Sequence, residues 1–212
     1  FQPGSGVLFG VTGSEYSPSR RLVTIDPLTA QTVLIGSLGF GSSDISFAPD
    51  GTLYSWTTRG GPLGSINLAS GAQTQIGAGA NGTQGNGLAF TPDGTLYLAG
   101  PTAPGNLHTV NPTTGAITSV AALSDVPLNF GNVNAMASDA NGLLFAVGRG
   151  SSQLVTINPV TGAISPVGTL SFGEADALAF SVVPEPSTWV LLALGLGCGG
   201  LVALRRREGV SE

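Results

Sequence analysis

Gly51-Thr-Leu-Tyr54 returns as Gly94-Thr-Leu-Tyr97, more loosely as Gly142-Leu-Leu-Phe145, and stands near the start as Gly6-Val-Leu-Phe9. Successive copies lie 45, 43 and 48 residues apart. Each is followed by a second landmark: Thr24-Ile-Asp-Pro27, Ser65-Ile-Asn67, Thr109-Val-Asn-Pro112 and Thr156-Ile-Asn-Pro159. A short apolar-alternating run comes next, at Thr32-Val-Leu-Ile35, Gln73-Thr-Gln-Ile76, Ala116–Val120 and Ala163–Val167. A fourth run leads into the following copy, at Ile45-Ser-Phe47, Leu88-Ala-Phe90, Met136-Ala-Ser138 and Leu178-Ala-Phe180. Runs of this length, bounded by Pro-Asp-Gly and Asn-Pro-x-Thr-Gly, predict β-strands joined by tight turns.

Four short strands recurring at this period form the sequence pattern of a β-propeller blade. The predicted fold is all-β: a small propeller of about four four-stranded blades, complete or part of a larger ring, with repeats at about 6–50, 51–93, 94–140 and 141–182. The phrases resemble the SMP-30/NHL/YVTN-like propeller class over nearly all of residues 5–182. In phase, the chain opens with the second, third and fourth strands of a blade and closes on a lone inner strand at Leu178–Phe180. Pairing of that strand with the first three is expected to seal the ring and remove its exposed edges.

Composition agrees with this architecture. Of 212 residues, 33 are Gly, 42% are apolar and only 9% are charged, which suits short strands and turns better than amphipathic helices. Residues 1–183 hold four Arg, no Lys, and nine Asp plus Glu. Such a surface has no basic stripe to neutralise phosphates, which excludes nucleic acid as a partner. The single cysteine, Cys198, lies beyond the repeats, so the head has neither an internal disulfide nor a thiolate metal site. The chain begins at Phe1 with no Met and no leader pattern, as expected of a protein whose secretory signal has been removed or of a stretch that starts inside a longer protein.

The tail reads differently. Trp189–Leu204 is uncharged, and Arg205-Arg206-Arg207 follows at once. With Ser187 and Thr188 at the interface, about 187–204 is predicted to be a transmembrane helix. Trp189 is the interfacial aromatic, and the Arg cluster places the C-terminus in the cytoplasm. Just upstream stand Pro184-Glu185-Pro186, whose prolines hold the chain extended. Pro-Glu-Pro, an apolar span and an Arg cluster, in that order, resemble the PEP-CTERM sorting domain over about residues 183–208, leaving 209–212 as a cytoplasmic end. The resemblance implies a Gram-negative host, export through the inner membrane and recognition by an exosortase. It further implies removal of the tail near Pro-Glu-Pro; the protein is then expected at the cell surface or in the extracellular matrix, with exopolysaccharide as a partner.

Catalytic chemistry is sparse in this pattern. His108 is the only histidine and makes no zinc site or triad by itself. Asp50 and Asp93 in Pro-Asp-Gly, and Asp26, Asn67, Asn111 and Asn158 in the next turn, are turn formers. One recurring position opens each inner strand: Ser43, Asn86, Asn134 and Asp176. Four oxygen-bearing side chains on one axis have the donors for Ca²⁺ or for hydrogen bonds to a sugar. Local bonding to the backbone is their plainer use. Asp44 has the opposite parity, so pairing it with Asp176 as a glycosidase-type couple needs a bulge, and Glu174 is another potential partner. The expected function is therefore non-enzymatic, as an exported surface or matrix protein. Its alternatives are a glycan- or metal-binding module and, more remotely, a glycoside or ester hydrolase.

Overall fold

A computed structural model describes residues 1–13, 20–57, 61–79, 86–100, 105–125, 127, 130, 132–171, 173 and 175–180. The chain divides into two compact units, Phe1–Ser181 and Val182–Glu212. Pro184, Glu185, Pro186, Trp189, Cys198, Arg205, Arg206, Arg207 and the 187–204 span lie outside the described residues, as does Glu174. No helix among the described residues is long and apolar enough to cross a membrane.

The head is an all-β propeller of four blades, with no helix among the described residues. The first blade is the sheet β1 (Leu8–Val11), β2 (Arg21–Ile25) and β3 (Thr32–Ser37). The second is β4 (Ser42–Phe47), β5 (Leu53–Thr57), β6 (Leu63–Ile66) and β7 (Gln73–Ile76). The third runs β8 (Gly87–Phe90), β9 (Leu96–Ala99), β10 (Asn106–Val110) and β11 (Ile117–Ala122). The fourth runs β12 (Val133–Ser138), β13 (Leu144–Gly148), β14 (Gln153–Ile157) and β15 (Ile164–Thr169). All neighbours within a blade are antiparallel, as tight turns between consecutive strands require. The inner strands β4, β8 and β12 pack together, with β8 against both others.

One expectation is corrected. Leu178-Ala-Phe180 forms no strand, and the first sheet keeps three strands rather than four. The segment nevertheless lies where an inner strand would. Phe180 packs on Phe145 with ring centroids 4.9 Å apart, as Phe47 packs on Phe9 (5.4 Å) and Phe90 on Tyr54 (5.2 Å). Its Phe180 ring docks on the fourth blade, and the described residues 175–180 form no backbone pairing with β1.

The core sits between blades. Leu22, Leu38, Leu53 and Ile66 join the first and second. Trp56, Leu63, Leu88, Leu96, Leu98 and Val110 join the second and third, with Trp56 fully buried. Leu107, Phe130, Val133, Leu144, Val155 and Ile157 join the third and fourth. At ~25 cal/mol per Å² of apolar surface removed from water, each fully buried Leu in these layers contributes about 2 kcal/mol.

Candidate functional site

The inner strands β4 and β12 begin with an irregularity that reorients one residue in each. Ser42 faces Thr57 and Asp44 faces Trp56, so Ser43 is left without a partner. Val133 faces Gly148 and Ala135 faces Val147, which leaves Asn134 in the same state. In the third blade Gly87 faces Ala99, while the Asn86 N–H also donates to the Ala99 carbonyl (3.2 Å). In β4 and β12 these are β-bulges: one extra residue bends the strand and turns its side chain out of the pleat. The expected ring residues Ser43 and Asn134 are thus bulged residues, and Asn86 directly precedes the paired Gly87.

Their convergence is only partial. The Asn134 side-chain amide donates to Asp176 Oδ1 (2.7 Å) and to the Ala175 carbonyl (3.1 Å), tying the 175–180 segment to the fourth blade. Ser43 and Asp176 both line a cavity of about 620 Å³. Asn86 is not among its lining residues, and its side chain has no hydrogen-bond partner among the described residues. Of the four positions, Ser43 and Asp176 share the cavity and Asn134 is bonded to Asp176. Asn134 turns a donor nitrogen toward Asp176, whereas a cation would need its carbonyl oxygen. No group of three His, Cys, Asp or Glu comes together among the described residues.

The cavity opens between the first and fourth blades, beside the axis. Leu8–Val11, Ser42–Phe47, Met136–Ser138 and Asp176–Phe180 supply most of its wall, and Arg20 reaches it too. The Arg20 guanidinium donates to the Ser42 carbonyl, bracing the bulge.

Asp44 is the residue whose role the sequence pattern did not convey. Its Oδ2 accepts the backbone N–H groups of Leu88 (2.8 Å) and Met136 (3.3 Å), and Oδ1 accepts that of Ile45 (2.8 Å). One carboxyl thus bridges the inner strands of three blades. Two residues on, Ser46 Oγ accepts the Phe90 N–H (2.9 Å). Inner strands turn an unpaired edge toward the axis, and Asp44 with Ser46 supplies the acceptors that water would otherwise provide. Part of the Asp44 residue remains open to the cavity, but its carboxyl lies deep in the ring. Loss of water pushes its pKa up to about 7, and the three N–H donors only partly oppose this. At neutral pH the group is divided between its acid and its carboxylate. A signal was available: the positions matching Asp44 in the other copies are Gly87, Ala135 and Ala177, so one acid stands on an otherwise small-residue face.

The opposite face has a different character. Asp26, Asn67, Asn111 and Asn158 each accept two backbone N–H bonds, two and three residues on, at 2.8–3.1 Å. Asp50 and Asp93 do likewise for Thr52 and Thr95. These N–H donors hold the carboxyls of Asp26 and Asp50 below the usual carboxylate range. Bonds from Thr91 and the Thr95 N–H do the same for Asp93. His108 is half-buried in β10 with Nδ1 unpaired among the described residues, and burial lowers its pKa.

Comparison with known proteins agrees with this geometry. The chain is a four-blade β-propeller, and residues 182–207 match the PEP-CTERM protein-sorting motif. Residues 78–178 match a repeat of unknown function, DUF6923, over the third and fourth blades. No curated protein matches the chain. Among solved structures it resembles a protein of unknown function from Bacteroides thetaiotaomicron (16% identity, TM-score 0.58, 80% of this chain and 42% of that one). It also resembles a chain of a nidogen/laminin complex (16%, 0.58, 81% and 64%) and a gluconolactonase from Xanthomonas campestris (17%, 0.50, 76% and 58%). The chain thus spans roughly four- to six-tenths of the length of these structures. At such identities the likeness is one of fold. The sorting motif implies an exported, exosortase-processed protein of the cell envelope.

Proposed function

We propose that the protein is a non-enzymatic component of the cell surface or extracellular matrix, with the propeller as the part delivered and the tail as its address. In this reading the 187–204 span holds the C-terminus in the cytoplasm during transit, positioned by Trp189 and Arg205–Arg207, until an exosortase acts near Pro184-Glu185-Pro186. The observation that carries it is the use made of Asp44. The deepest carboxyl of the ring is spent on three backbone N–H groups, and Asp176 is bonded to Asn134. Two facing carboxylates free to act on a glycosidic bond are what a hydrolase would need instead.

The full chain expressed in its host, with and without the exosortase, tests this reading. Expected are release to the matrix fraction when the exosortase is present and retention in the membrane when it is absent. Turnover of a glycoside, ester or lactone by the released protein, lost on Asp44→Asn or Asp176→Asn, would overturn the non-enzymatic part. A second reading, a glycan- or metal-binding head, is favoured by the cavity that Ser43 and Asp176 share. It predicts a higher melting temperature with exopolysaccharide or Ca²⁺, since a ligand at one hundred times its Kd adds about 2.7 kcal/mol.

A further inference from the structure

The Pro-Asp-Gly turns of the second and third blades line a crevice of about 310 Å³ on the turn face of the ring. Tyr54 and Phe90, with ring centroids 5.2 Å apart, give it an apolar wall together with Pro49, Pro92 and Pro112. Asp50 and Asp93 line it too. The crevice is open because the two turns stay apart. A Cβ on Gly142 of the fourth blade would lie 3.9 Å from Pro92 of the third, whereas one on Gly94, the same position a blade earlier, has nothing within 4 Å.

No other junction among the described residues has this set. The position of Asp50 and Asp93 holds Ser5 in the first blade and Asn141 in the fourth, so only here do two carboxylates come from neighbouring turns. The prolines before them are Gly4 and Ala140 in those blades. At the first junction the ring pair is Phe9 and Phe47, with no hydroxyl, and at the third the position of Phe90 is Ser138.

Both acids have an oxygen to offer. Asp50 Oδ1 accepts the Thr52 N–H, and Asp93 Oδ1 accepts the Thr91 hydroxyl and the Thr95 N–H; neither Oδ2 has a partner among the described residues. Burial, and then the Asp50 charge, push the Tyr54 phenol up, so it stays a neutral O–H. The turn backbone is already occupied: the N–H groups of Ala48, Gly51, Thr91 and Gly94 are bonded within their turns, and the prolines have none. Arg20, Arg21 and Arg149 stand at the β1–β2 and β13–β14 connections, at the other ends of the strands. The crevice is therefore rich in acceptors and faces no cationic side chain among the described residues.

A ligand must bring the complement: donors, positive charge and a flat apolar face. A uronate or phosphate-bearing sugar would meet two like charges. A peptide would find neither a sheet edge nor a free turn N–H for its main chain. A hexosamine with a free amine has all three features, namely a C–H face for Tyr54 and the prolines, hydroxyl donors, and an ammonium for the carboxylates. We propose that this crevice binds a polysaccharide carrying free amines, with one hexosamine unit seated on Tyr54 between Asp50 and Asp93. The site is separate from the cavity that Ser43 and Asp176 share, and it adds to delivery at the cell surface a chemical class of matrix polymer for the head to hold.

The test is calorimetric titration of the full chain with a glucosamine tetramer, its fully N-acetylated counterpart and a tetra-arginine peptide. Expected is saturable binding of the glucosamine tetramer, weaker by about tenfold or more for the acetylated one and by a similar factor in the Asp50→Asn, Asp93→Asn variant. Asn keeps the Oδ1 acceptor of each turn, so the variant should melt as the parent does. Asp26→Asn, on the same face but outside the crevice, should leave the affinity unchanged. Absence of saturable binding, equal binding of the acetylated tetramer, or as large a loss from Asp26→Asn overturns the proposal. Tetra-arginine that binds as tightly and displaces the tetramer would make the occupant a basic peptide and overturn it as well. Binding lost on Asp176→Asn but kept in the Asp50→Asn, Asp93→Asn variant would move the glycan to the cavity, overturning this site while leaving the reading of the head as a binding module intact.

Discussion

The two faces of the ring use the same residue types to opposite effect. On one face Asp26, Asn67, Asn111 and Asn158 sit at equivalent positions and make the same pair of bonds to their own turn. On the other, Ser43, Asn86, Asn134 and Asp176 also sit at equivalent positions, yet they share no pattern of partners. Ser43 lines the cavity, Asn134 grips Asp176, and Asn86 bonds only through its backbone among the described residues. Periodicity reports a role where the partner lies two or three residues away, because the repeat carries the partner with it. Where the partner belongs to another blade, each copy finds a different neighbour.

The largest test of this contrast is Asp44, whose partners are the most distant in sequence. At pH 5, Asp44→Ala leaves the N–H groups of Ile45, Leu88 and Met136 without their acceptor and should cost about 3 kcal/mol in a urea melt. Asp44→Asn, which keeps a carbonyl oxygen, should cost less. The pH profile separates the faces by sign. Asp44 has a folded pKa near 7, above its unfolded value of 3.8. The unfolded chain therefore gives up its proton first, and stability falls from about pH 4 to about pH 7, by up to ~1.4 kcal/mol per unit. The folded pKa values of Asp26, Asp50 and Asp93 are depressed, so their contribution is present above pH 4 and fades as pH falls through those values. Asp44→Asn should remove the fall toward pH 7 and leave the acid limb. Loss of the acid limb instead would show the assignment of the two limbs to be reversed.

Gly115→Ala probes the junctions on the turn face and ranks next. Its Cβ would press on the Ile76 oxygen at 2.6 Å, at φ +71°, so a loss of roughly 2 kcal/mol is expected from strain and displacement together. Melting temperature reads it directly, and an unchanged value would mean that the junction yields freely.

Much of the fold was legible in the residues. Fifteen strands lie where the four landmarks put them, because Pro-Asp-Gly and Asn-Pro-x-Thr-Gly fix their turns through local bonds. The sixteenth, Leu178–Phe180, has the right pattern and the right side-chain contact but no sheet, since pairing depends on how closely two ends of the chain approach. Of the site, the recurrence of Ser43, Asn86, Asn134 and Asp176 was visible in the repeat, and the bulges at Ser43 and Asn134 were not: nothing in Ser42-Ser43 or Val133-Asn134 marks an extra residue. Asp44 was set aside on parity, and that parity is what points it at Leu88 and Met136.

On the turn face, Asn111→Ala removes the acceptor of the Thr113 and Thr114 N–H groups and should cost about 1 kcal/mol, with Asn158→Ala close to it because the bonds are the same. Unequal losses would break the idea that these turns are interchangeable.

The finest distinction lies between Asn86 and Asn134, which the sequence treats as one position. Asn134→Ala severs the bonds to Ala175 and Asp176, so a loss of roughly 0.5–1 kcal/mol is expected, along with faster proteolysis after residue 175 as the 175–180 segment leaves the fourth blade. Asn86→Ala deletes a side chain with no partner among the described residues while keeping the N–H that bonds Ala99, so its effect should stay within about 0.5 kcal/mol. Equal losses from the two variants would mean that the strand-opening position itself, rather than the neighbour it happens to meet, sets the value of the residue.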